Sequence, residues 1–350
     1  MSGNILIKRN YTYVTRSLIR LFNEGRLSNI ENIVVEDRYG YLTRIVYKNG
    51  YNRITYGNDL GINSGASCDL AKDKGYTKFM LRDMGVNCPK GEEFLLPWWA
   101  DTIRNTQEKH GNFNIKTIDE SYSYISEELA YPIYIKPVNG SKGLDIYKVE
   151  AKRELDEIFD IYNSKRIKVA VIEETIQMPD YRIIVLDGSL ISAYRRVPLN
   201  VIGDGVSNIK DLILSLQEKF ISSGRDTLIN PNDPRIIKHL ENTGYNLDYI
   251  PLKNENITLL SISNLSAGGS SVDITDTINN RWVDIAVDIA KNFNLRLSGI
   301  DLACSNIDSE DSEYSVLEVN GAPGLDNYAS SGEKQKEIVD QLYVKVFHTF

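Results

Sequence analysis

Three oxygen-bearing side chains stand within or beside two apolar segments near the C-terminus. Asp301 lies in residues 295–304, and Glu318 and Asn320 lie around the end of residues 314–319. Both segments predict strands, and the polar, acidic segment between them predicts a turn that pairs them as a hairpin. Because side chains alternate between the two faces of a strand, Glu318 and Asn320 share a face. With Asp301 opposite them, the set would suit Mg²⁺, which prefers oxygen ligands, whereas the alternative is a surface hairpin with solvated acids.

A second segment, residues 131–146, has the composition of a phosphate-binding loop. An apolar strand is predicted there, followed by lysines, glycines and a serine: Lys136, Gly140, Ser141, Lys142 and Gly143. Glycines let backbone N–H groups approach phosphate oxygens, serine adds a donor, and a lysine supplies positive charge. The spacing matches neither GxxxxGK(S/T) nor GxGxxG, which excludes a P-loop site and a Rossmann dinucleotide site. A plain hairpin turn is the alternative interpretation.

Acidic residues end one predicted strand and precede the next. Glu173 and Glu174 lie at the end of the first strand, and a short connection leads to Asp180. One such carboxylate can accept a hydrogen bond from an adenine amino group and another from a ribose hydroxyl. Neighbouring isoleucines would pack on the purine face: Ile172 and Ile176. Solvated acids flanking a surface connection are the alternative.

The elements that must position these groups follow from hydrophobic periodicity and turn residues. Helical spacing of apolar residues predicts helices at residues 11–23, 70–85, 151–164 and 278–292. Short apolar runs between turns predict strands at residues 32–36, 42–47, 51–56, 131–136, 168–173, 181–186 and 189–194. Residues from about 204 to 260 are polar with little periodicity after residue 221, which predicts a long insertion or a mobile lid.

Composition argues against several classes of function. The 350 residues carry a formal net charge of −8, so we expect no nucleic-acid-binding surface. With three histidines, neither a histidine metal cluster nor Ser-His-Asp chemistry is expected, and the three cysteines lack a metal-binding spacing. No apolar run is long enough to span a membrane, and the N-terminus lacks a signal-peptide core, so we expect a cytoplasmic protein without membrane contact.

Five stretches, read in order, resemble the ATP-grasp superfamily and together extend over most of the chain. They are AKDKGYTKFMLRDMGV, YPIYIKPVNGSKGL, VIEETIQMPDYRIIV, NLSAGGSSVDITD and the pair GIDLA and VLEVNGAPGL. Within the superfamily, the resemblance is most specific to the ATP-grasp part of cyanophycin synthetases and of bifunctional glutathione synthetases. Two stretches carry that specificity: AYRRVPLNVIGDGVSNIKDLI and NLSAGGSSVDITD.

The resemblance implies an α+β protein with the ATP-grasp fold, in which two α/β lobes grip ATP between antiparallel sheets. It implies a small N-terminal lobe over residues 1–70, a central lobe with the phosphate loop over 71–175, and a C-terminal lobe with the metal site over 176–350. It also implies an ATP-dependent carboxylate–amine ligase that forms an acyl phosphate and acts on amino acids or short peptides. A homo-oligomer is left open, because dimers and tetramers are common in the superfamily.

Site residues of the superfamily transfer to matching positions of this chain. Those expected to bind ATP are Lys74, Lys136, Gly140, Ser141, Lys142, Gly143, Glu173, Glu174, Ile176, Asp180 and Asn264. Those expected to bind one or two Mg²⁺ ions, with Mn²⁺ as an alternative, are Asp301, Glu318 and Asn320. Such a site acts by positioning and charge neutralisation, so it needs no protein nucleophile.

Arginines and a glycine-rich segment complete the expected site. Arg195 and Arg196 follow the strand predicted at 189–194, and an arginine fork suits a carboxylate or an acyl phosphate. We expect at least one of them to bind the acceptor carboxylate or the intermediate, with Arg182 as a further candidate. A structural salt bridge is the alternative. The segment from Gly268 to Ser271 would supply N–H and hydroxyl donors near the transferred phosphoryl group.

Two departures from the resembling proteins bear on the activity. The further ligase domains of cyanophycin synthetases and bifunctional glutathione synthetases do not fit within 350 residues, so we expect one bond type. D-Ala-D-Ala ligases commonly have an arginine two residues before the first metal aspartate, where this chain has Gly299. A kinase-like phosphoryl-transfer enzyme on the same fold and a nucleotide-binding module without turnover are the alternatives to a ligase.

Overall fold

The structure is a computed structural model that describes residues 4–110, 115–140, 144–222, 225, 227–263 and 265–348, without the side chains of residues 107–110 and 266. Within it the chain forms two compact units. Unit 1 consists of Met1–Cys68, Asp180–Gly299 and Asn320–Phe350, and unit 2 consists of Asp69–Pro179 and Ile300–Val319. The first 68 residues therefore belong to the same unit as most of the chain after residue 180.

Helices and strands occur in both units. The helices, in chain order, are α1 (Tyr13–Asn23), α2 (Gly65–Lys72), α3 (Lys74–Asp83), α4 (Pro97–His110), α5 (Ile118–Glu128), α6 (Lys152–Ser164), α7 (Ile209–Ser222), α8 (Pro234–Asn242), α9 (Asn280–Asn292), α10 (Asp326–Ala329) and α11 (Glu333–His348). The strands, in chain order, are β1 (Ile30–Val35), β2 (Leu42–Tyr47), β3 (Asn52–Tyr56), β4 (Gly91–Leu95), β5 (Ile133–Pro137), β6 (Tyr147–Val149), β7 (Val169–Glu174), β8 (Asp180–Leu186), β9 (Ser189–Val197), β10 (Asn200–Ile202), β11 (Asn256–Thr258), β12 (Ser270–Asp273), β13 (Leu297–Cys304) and β14 (Tyr314–Asn320).

The N-terminal part of unit 1 is a helix on an antiparallel sheet of order β1-β2-β3. Helix α1 begins after Thr12, whose hydroxyl accepts a hydrogen bond from the Thr15 N–H. Its apolar side, with Leu18 and Leu21 fully buried, packs in a core that α11 joins through Tyr343. The predicted first helix and the three strands after it are confirmed.

A second antiparallel arrangement in unit 1 contains the adjacent strands β12, β9 and β8. Helix α9 packs against β8 and β9 and buries Trp282 and Ile289 completely. Tyr194 of β9 stacks on Tyr328, with the ring centroids 4.8 Å apart. These contacts fix the strands that carry Asp180 and the arginines.

The polar stretch after β9, which the sequence predicts to be an insertion, has its own hydrophobic core. It contains β10, α7, α8 and β11, and β10 pairs with β11. Its core includes Ile209, Phe220, Ile236, Leu240 and Ile257. The sequence interpretation gave no helix here, although Ile236, Ile237 and Leu240 of α8 lie at helical spacing and the N-cap Asp233 precedes Pro234.

Unit 2 is built on an antiparallel sheet of order β4-β7-β5-β6. Helices α5 and α6 contribute to a core that buries Ile135, Phe159 and Ile172. Ile172 therefore belongs to the core, and the prediction that it packs on a purine is wrong. The error follows from alternation along β7, because Ile172 and Glu173 must point to opposite faces.

Helices α2 and α3 replace the single helix predicted at residues 70–85. Asp73 lies between them, and its carboxylate accepts hydrogen bonds from the N–H groups of Gly75 and Tyr76, each 3.0 Å long. Aspartate is a good N-cap because its carboxylate satisfies the first N–H groups of a helix. The helix therefore restarts here, and Lys74 lies in the first turn of α3.

Strands β13 and β14 are neighbours joined by residues 305–313, which confirms the predicted hairpin. The N–H of Ser305 donates a hydrogen bond of 3.0 Å to the Glu313 carbonyl at the base of the connection. Strand β13 is buried along its whole length. The boundary between the units crosses both strands, before Ile300 and after Val319.

Candidate functional site

The first group of the candidate site surrounds Lys74 in unit 2. This side chain is buried, and its Nζ donates a hydrogen bond of 3.1 Å to the Gly140 carbonyl. The same Nζ lies 3.9 Å from Glu318 Oε1. Burial lowers the pKa of Lys74, and Glu318 offsets part of this effect. A single ammonium group thus contacts both the loop predicted to bind phosphate and the hairpin predicted to bind metal.

Backbone contacts explain why α3 begins beside the phosphate loop. The N–H of Lys74 donates to the Val138 carbonyl at 3.2 Å, and Asp73 forms an isolated antiparallel bridge with Asn139. Val138 and Asn139 follow β5 directly, so the N-terminus of α3 is attached to the start of the loop. A helix N-terminus attracts anions, and the positively charged lysines here attract the same kind of ligand.

Glu173 binds two lysines that come from different elements. Lys136 on β5 and Lys78 on α3 each donate a hydrogen bond to one oxygen of its carboxylate, and all three side chains are buried. Burial alone would raise the pKa of Glu173, but the two ammonium groups outweigh this effect and lower the pKa to about 2. Burial lowers the pKa of Lys78, and Glu173 offsets part of that effect. The carboxylate therefore holds Lys136 in a defined orientation.

Lys78 is a site residue that the sequence interpretation did not single out. It lies four residues after Lys74, so the two lysines occupy the same side of α3. This spacing was the available signal, because two lysines one turn apart repel each other unless an anion lies nearby. For Lys78 that anion is Glu173, which lies 95 residues further along the chain.

A pH-dependent loss of stability is expected from Glu173. Because folding lowers its pKa, its ionisation stabilises the fold above the ordinary value of 4.5, and this contribution is lost as the pH falls towards about 2. Glu173→Gln is expected to lower the free energy of unfolding by roughly 3–5 kcal/mol at pH 7, since two buried lysines lose their counter-charge. Urea unfolding should show that the difference in the free energy of unfolding between wild type and variant becomes smaller from pH 5 to pH 3. A difference that stays constant over this range would contradict the role of the carboxylate.

Other residues predicted to bind the nucleotide have different surroundings. Glu174 Oε1 accepts a hydrogen bond of 2.7 Å from the Lys90 N–H, and Ile176 is half-buried. Asp180 lies in unit 1. Four further predicted residues lie outside the described part of the chain: Ser141, Lys142, Gly143 and Asn264. The contacts of all these residues with a nucleotide stay predictions.

The predicted metal ligands lie on β13 and β14. Asp301 is 2% exposed, the Glu318 side chain is 34% exposed, and Asn320 shares a face of β14 with Glu318. Asn320 Nδ2 donates to the Gly299 carbonyl at 3.4 Å, so its Oδ1 is the atom suited to bind a cation. Two carboxylates and one amide oxygen are a hard donor set that fits Mg²⁺. Among the described residues, no group of three His, Cys, Asp or Glu side chains is placed to bind a metal, and metal binding by these three residues stays a prediction.

The two adjacent arginines of β9 point to opposite faces of their sheet. Arg196 lies opposite Asp180 on β8, and its Nη2 donates to both carboxylate oxygens at 2.9 and 2.8 Å. Arg195 is exposed and lies opposite Tyr181, so alternation directs it to the other face. The salt bridge considered as the alternative for Arg196 is thus present. Arg195 and Arg196 therefore lie on opposite faces of the sheet, and the contact of either with an acceptor stays a prediction.

Arg182 shares its face of β8 with Asp180, two residues earlier. Its side chain covers Gly299, because a Cβ added there would lie 3.3 Å from Arg182 Nη1 and 2.9 Å from Pro323 Cβ. Any side chain at position 299 would therefore displace Arg182 or Pro323. A guanidinium from β8 thus lies over the position where D-Ala-D-Ala ligases commonly have an arginine.

The glycine-rich segment from Gly268 to Ser271 leads into β12. Gly268 has a φ of +103°, and a Cβ there would lie 2.9 Å from Leu199 Cδ1, so glycine is required at this position. Ser271 lies directly opposite Arg196 in the pairing of β12 with β9. Directly opposite residues share a face, so the Ser271 side chain is a neighbour of the Arg196 side chain.

Comparisons with known proteins agree on one kind of domain. Residues 110–212 match the family "Prokaryotic glutathione synthetase, ATP-grasp domain". The chain is 30% identical over 264 residues to a cyanophycin synthetase from Crocosphaera subtropica, covering 73% of this chain and 28% of that protein. It is 27% identical over 287 residues to the glutathione biosynthesis bifunctional protein GshAB from Clostridium perfringens. That match covers 78% of this chain and 34% of that protein. The crystal structure of a bifunctional glutathione synthetase from Pasteurella multocida aligns with a TM-score of 0.61 and 20% identity, over 96% of this chain and 45% of that one.

The matches to the two relatives and to the crystal structure cover most of this chain but less than half of each of those proteins. The chain spans 28% of the cyanophycin synthetase and 34% of the bifunctional protein. In the part of the chain that the structure describes, no helix combines the length and the apolar character needed to cross a membrane.

Proposed function

Because the chain has the ATP-grasp fold and contains an ATP-grasp domain of the prokaryotic glutathione synthetase type, we propose that it is an ATP-dependent carboxylate–amine ligase. Its substrates are amino acids or short peptides, since glutathione, named in the matching family, is itself a short peptide. The products are a condensed amide, ADP and phosphate. The observation that carries the proposal is the Lys74 ammonium group, which contacts Gly140 of the phosphate loop and the carboxylate of Glu318.

The lysines supply the positive charge that the phosphates of ATP require. In the proposal, Lys74 and Lys136 bind the phosphates, and the loop that begins at Gly140 closes over them. Glu173 acts through Lys136, because both of its carboxylate oxygens are bonded to lysines. The resemblance assigned Glu173 and Ile176 to the adenine and Asp180 to the ribose. Because both oxygens of Glu173 are bonded to lysines, the proposal gives its place at the adenine to Glu174. Asp301, Glu318 and Asn320 would hold one or two Mg²⁺ ions, or Mn²⁺, and such an ion neutralises charge on the phosphates when bound.

The proposed reaction has two steps, and neither needs a protein nucleophile. A carboxylate oxygen of the first substrate attacks the γ-phosphorus of ATP, the bond to the β-phosphate oxygen breaks, and ADP leaves. The amine of the second substrate then attacks the acyl carbon and loses a proton, and phosphate leaves with the electron pair of the broken bond. The protein contributes by holding the reactants and neutralising charge.

Arg182 and Arg196 are the proposed binding groups for the acceptor carboxylate or the acyl phosphate. They share a face of the sheet in unit 1, and Arg196 is oriented by its two hydrogen bonds to Asp180. An arginine fork matches a carboxylate bidentately, which makes these side chains suited to the task. Arg195, on the opposite face, serves as the matched control.

The proposal predicts ADP release that requires two partners. Purified protein is incubated with Mg²⁺ and ATP and with amino acids, dipeptides and amines, singly and in pairs. Active wells should contain a product whose mass equals the two partners minus water. In those wells Arg182→Ala is expected to lower kcat/KM for the acceptor by roughly 100-fold, because a charge-assisted pair is lost, whereas Arg195→Ala changes it little.

Other outcomes of this panel point to other functions. A product that is one partner plus a phosphoryl group would establish a kinase-like enzyme. ATP binding without release of ADP in any well, including wells with longer peptides, would indicate a nucleotide-binding module. Equal effects of the two arginine substitutions would remove Arg182 from the proposed substrate site.

We place the proposed reaction in the cytoplasm. It consumes ATP, and the three cysteines, all of them in the described part of the chain, form no disulfide. Cysteines outside disulfides are typical of a reducing compartment.

A further inference from the structure

We propose that Arg225, in the insertion, is a positioning residue that fixes the segment Leu265–Gly269 in front of β12. The inference rests on the proposed function, because that segment leads into the glycine-rich stretch assigned to the transferred phosphoryl group. One nitrogen, Arg225 Nη2, donates hydrogen bonds to the Leu265 carbonyl and to the Gly269 carbonyl, each 2.6 Å long. A single guanidinium thus bonds both ends of a five-residue segment.

Arg225 is itself held by the insertion. Its Nε donates to Thr227 Oγ1 at 3.2 Å, and its guanidinium carbon lies 4.2 Å from the centre of the Phe220 ring. Its backbone N–H donates to the Phe220 carbonyl at 2.9 Å, and Phe220 belongs to the insertion core. The planar guanidinium therefore has one orientation, set by the insertion, in which it meets the two carbonyls.

The segment that Arg225 bonds is tightly folded. Leu265 begins a 3₁₀ turn, and its carbonyl also accepts a hydrogen bond from the Gly268 N–H at 3.1 Å. Gly268 is packed against Leu199, another residue of the insertion core. The insertion thus contacts the segment from two sides, through a charged hydrogen-bonding group and through an apolar side chain.

The position of Arg225 has a consequence for β12. A peptide group is planar and trans, so turning the Gly269 carbonyl towards Arg225 points the Ser270 N–H in the opposite direction. Ser270 is the first residue of β12, and Ser271 lies opposite Arg196. Arg225 therefore determines how the chain enters β12, the strand next to Arg196, which is proposed to bind substrate. Loss of Arg225 should slow the chemical step more than it weakens ATP binding, because the lysines proposed to bind the phosphates belong to unit 2.

The test compares the variants Arg225→Ala and Arg225→Lys with the control variant Arg235→Ala. Arg235 is an exposed arginine of the same insertion and pairs with Asp233. Hydrogen exchange of peptides covering residues 265–270 should become roughly 10-fold faster in Arg225→Ala, with the rest of the insertion unchanged. The same variant should lose kcat by roughly 10- to 100-fold, with a smaller change in KM for ATP. Free guanidinium at millimolar concentration should restore part of this kcat and have no effect on Arg235→Ala, and Arg225→Lys should be intermediate.

Two outcomes would overturn the inference. The first is unchanged exchange at residues 265–270 in both Arg225 variants. The second is faster exchange throughout the insertion together with loss of kcat, which would mean that Arg225 only stabilises the fold. If wild-type protein releases no ADP with any pair of partners, the proposed function fails, and the exchange comparison alone then decides the role of Arg225.

Discussion

Glu318→Ala is expected to reduce ADP release by at least roughly 10³-fold and to leave the fold near native. The Glu318 side chain is 34% exposed, so its truncation leaves no cavity in a core. The carboxylate is one of two in the proposed metal set, and its Oε1 lies 3.9 Å from Lys74 Nζ. Its loss would therefore remove a proposed hard ligand and change the charge beside a lysine proposed to bind phosphate. ADP release at saturating substrates and thermal unfolding of the same sample measure the two effects.

Two further variants make the test of Glu318 specific. Glu310→Ala removes an exposed carboxylate from the connection of the same hairpin and should leave turnover unchanged. Glu318→Gln keeps the size of the side chain but not the charge, so half-maximal activity should require a higher Mg²⁺ concentration. Substantial ADP release by Glu318→Ala, or an unchanged Mg²⁺ dependence of Glu318→Gln, would remove Glu318 from the metal set.

The elements that the sequence predicted correctly are those with strong local patterns. Helix α1 has apolar residues at helical spacing, and strands β2 and β3 are separated by an Asn-Gly turn. Strands β13 and β14 are apolar runs on either side of a polar connection. In these cases neighbours in the sequence are also neighbours in the fold, so the pattern contains the information needed.

Elements that depend on distant contacts were harder to predict. The break between α2 and α3 depends on Asp73, and an aspartate inside an apolar helical pattern is compatible with one helix or with two. The core of the insertion joins Ile209, Phe220 and Ile257, which no local window contains together. Composition could therefore indicate an insertion there but could not show that it folds around its own core.

In the candidate site, too, the sequence indicated which types of residue to consider but not which residues they contact. The sequence interpretation selected Lys136 by its type at a strand end, Lys74 by the resemblance, and the acids of the hairpin by their place in apolar strands, and their roles stay predictions. The partners of Glu173 were not recognised, because Lys78 comes from a helix and Lys136 from another strand. Alternation could separate Arg195 from Arg196, but only the pairing with β8 shows which one shares a face with Asp180.

Lys136→Met is expected to weaken ATP binding by roughly 10- to 100-fold, the value of a charge-assisted hydrogen bond to phosphate. Methionine keeps most of the side-chain volume, so the effect reports on the ammonium group. Because the proposed role of Lys136 concerns the phosphates alone, the affinity for adenosine should change little. Calorimetric titration with ATP and with adenosine therefore gives the decisive quantity, the ratio of the two dissociation constants.

Lys78→Met is the matched control for Lys136→Met, because each variant removes one of the two ammonium groups bonded to Glu173. Both variants leave a buried carboxylate with a single counter-charge, so both should lower the free energy of unfolding. Only Lys136→Met should change the preference for ATP over adenosine, since Lys78 has no proposed contact with phosphate. An equal loss of that preference in both variants would mean that the lysines act through the orientation of Glu173. An unchanged ATP affinity in Lys136→Met would contradict the phosphate-binding role of this lysine.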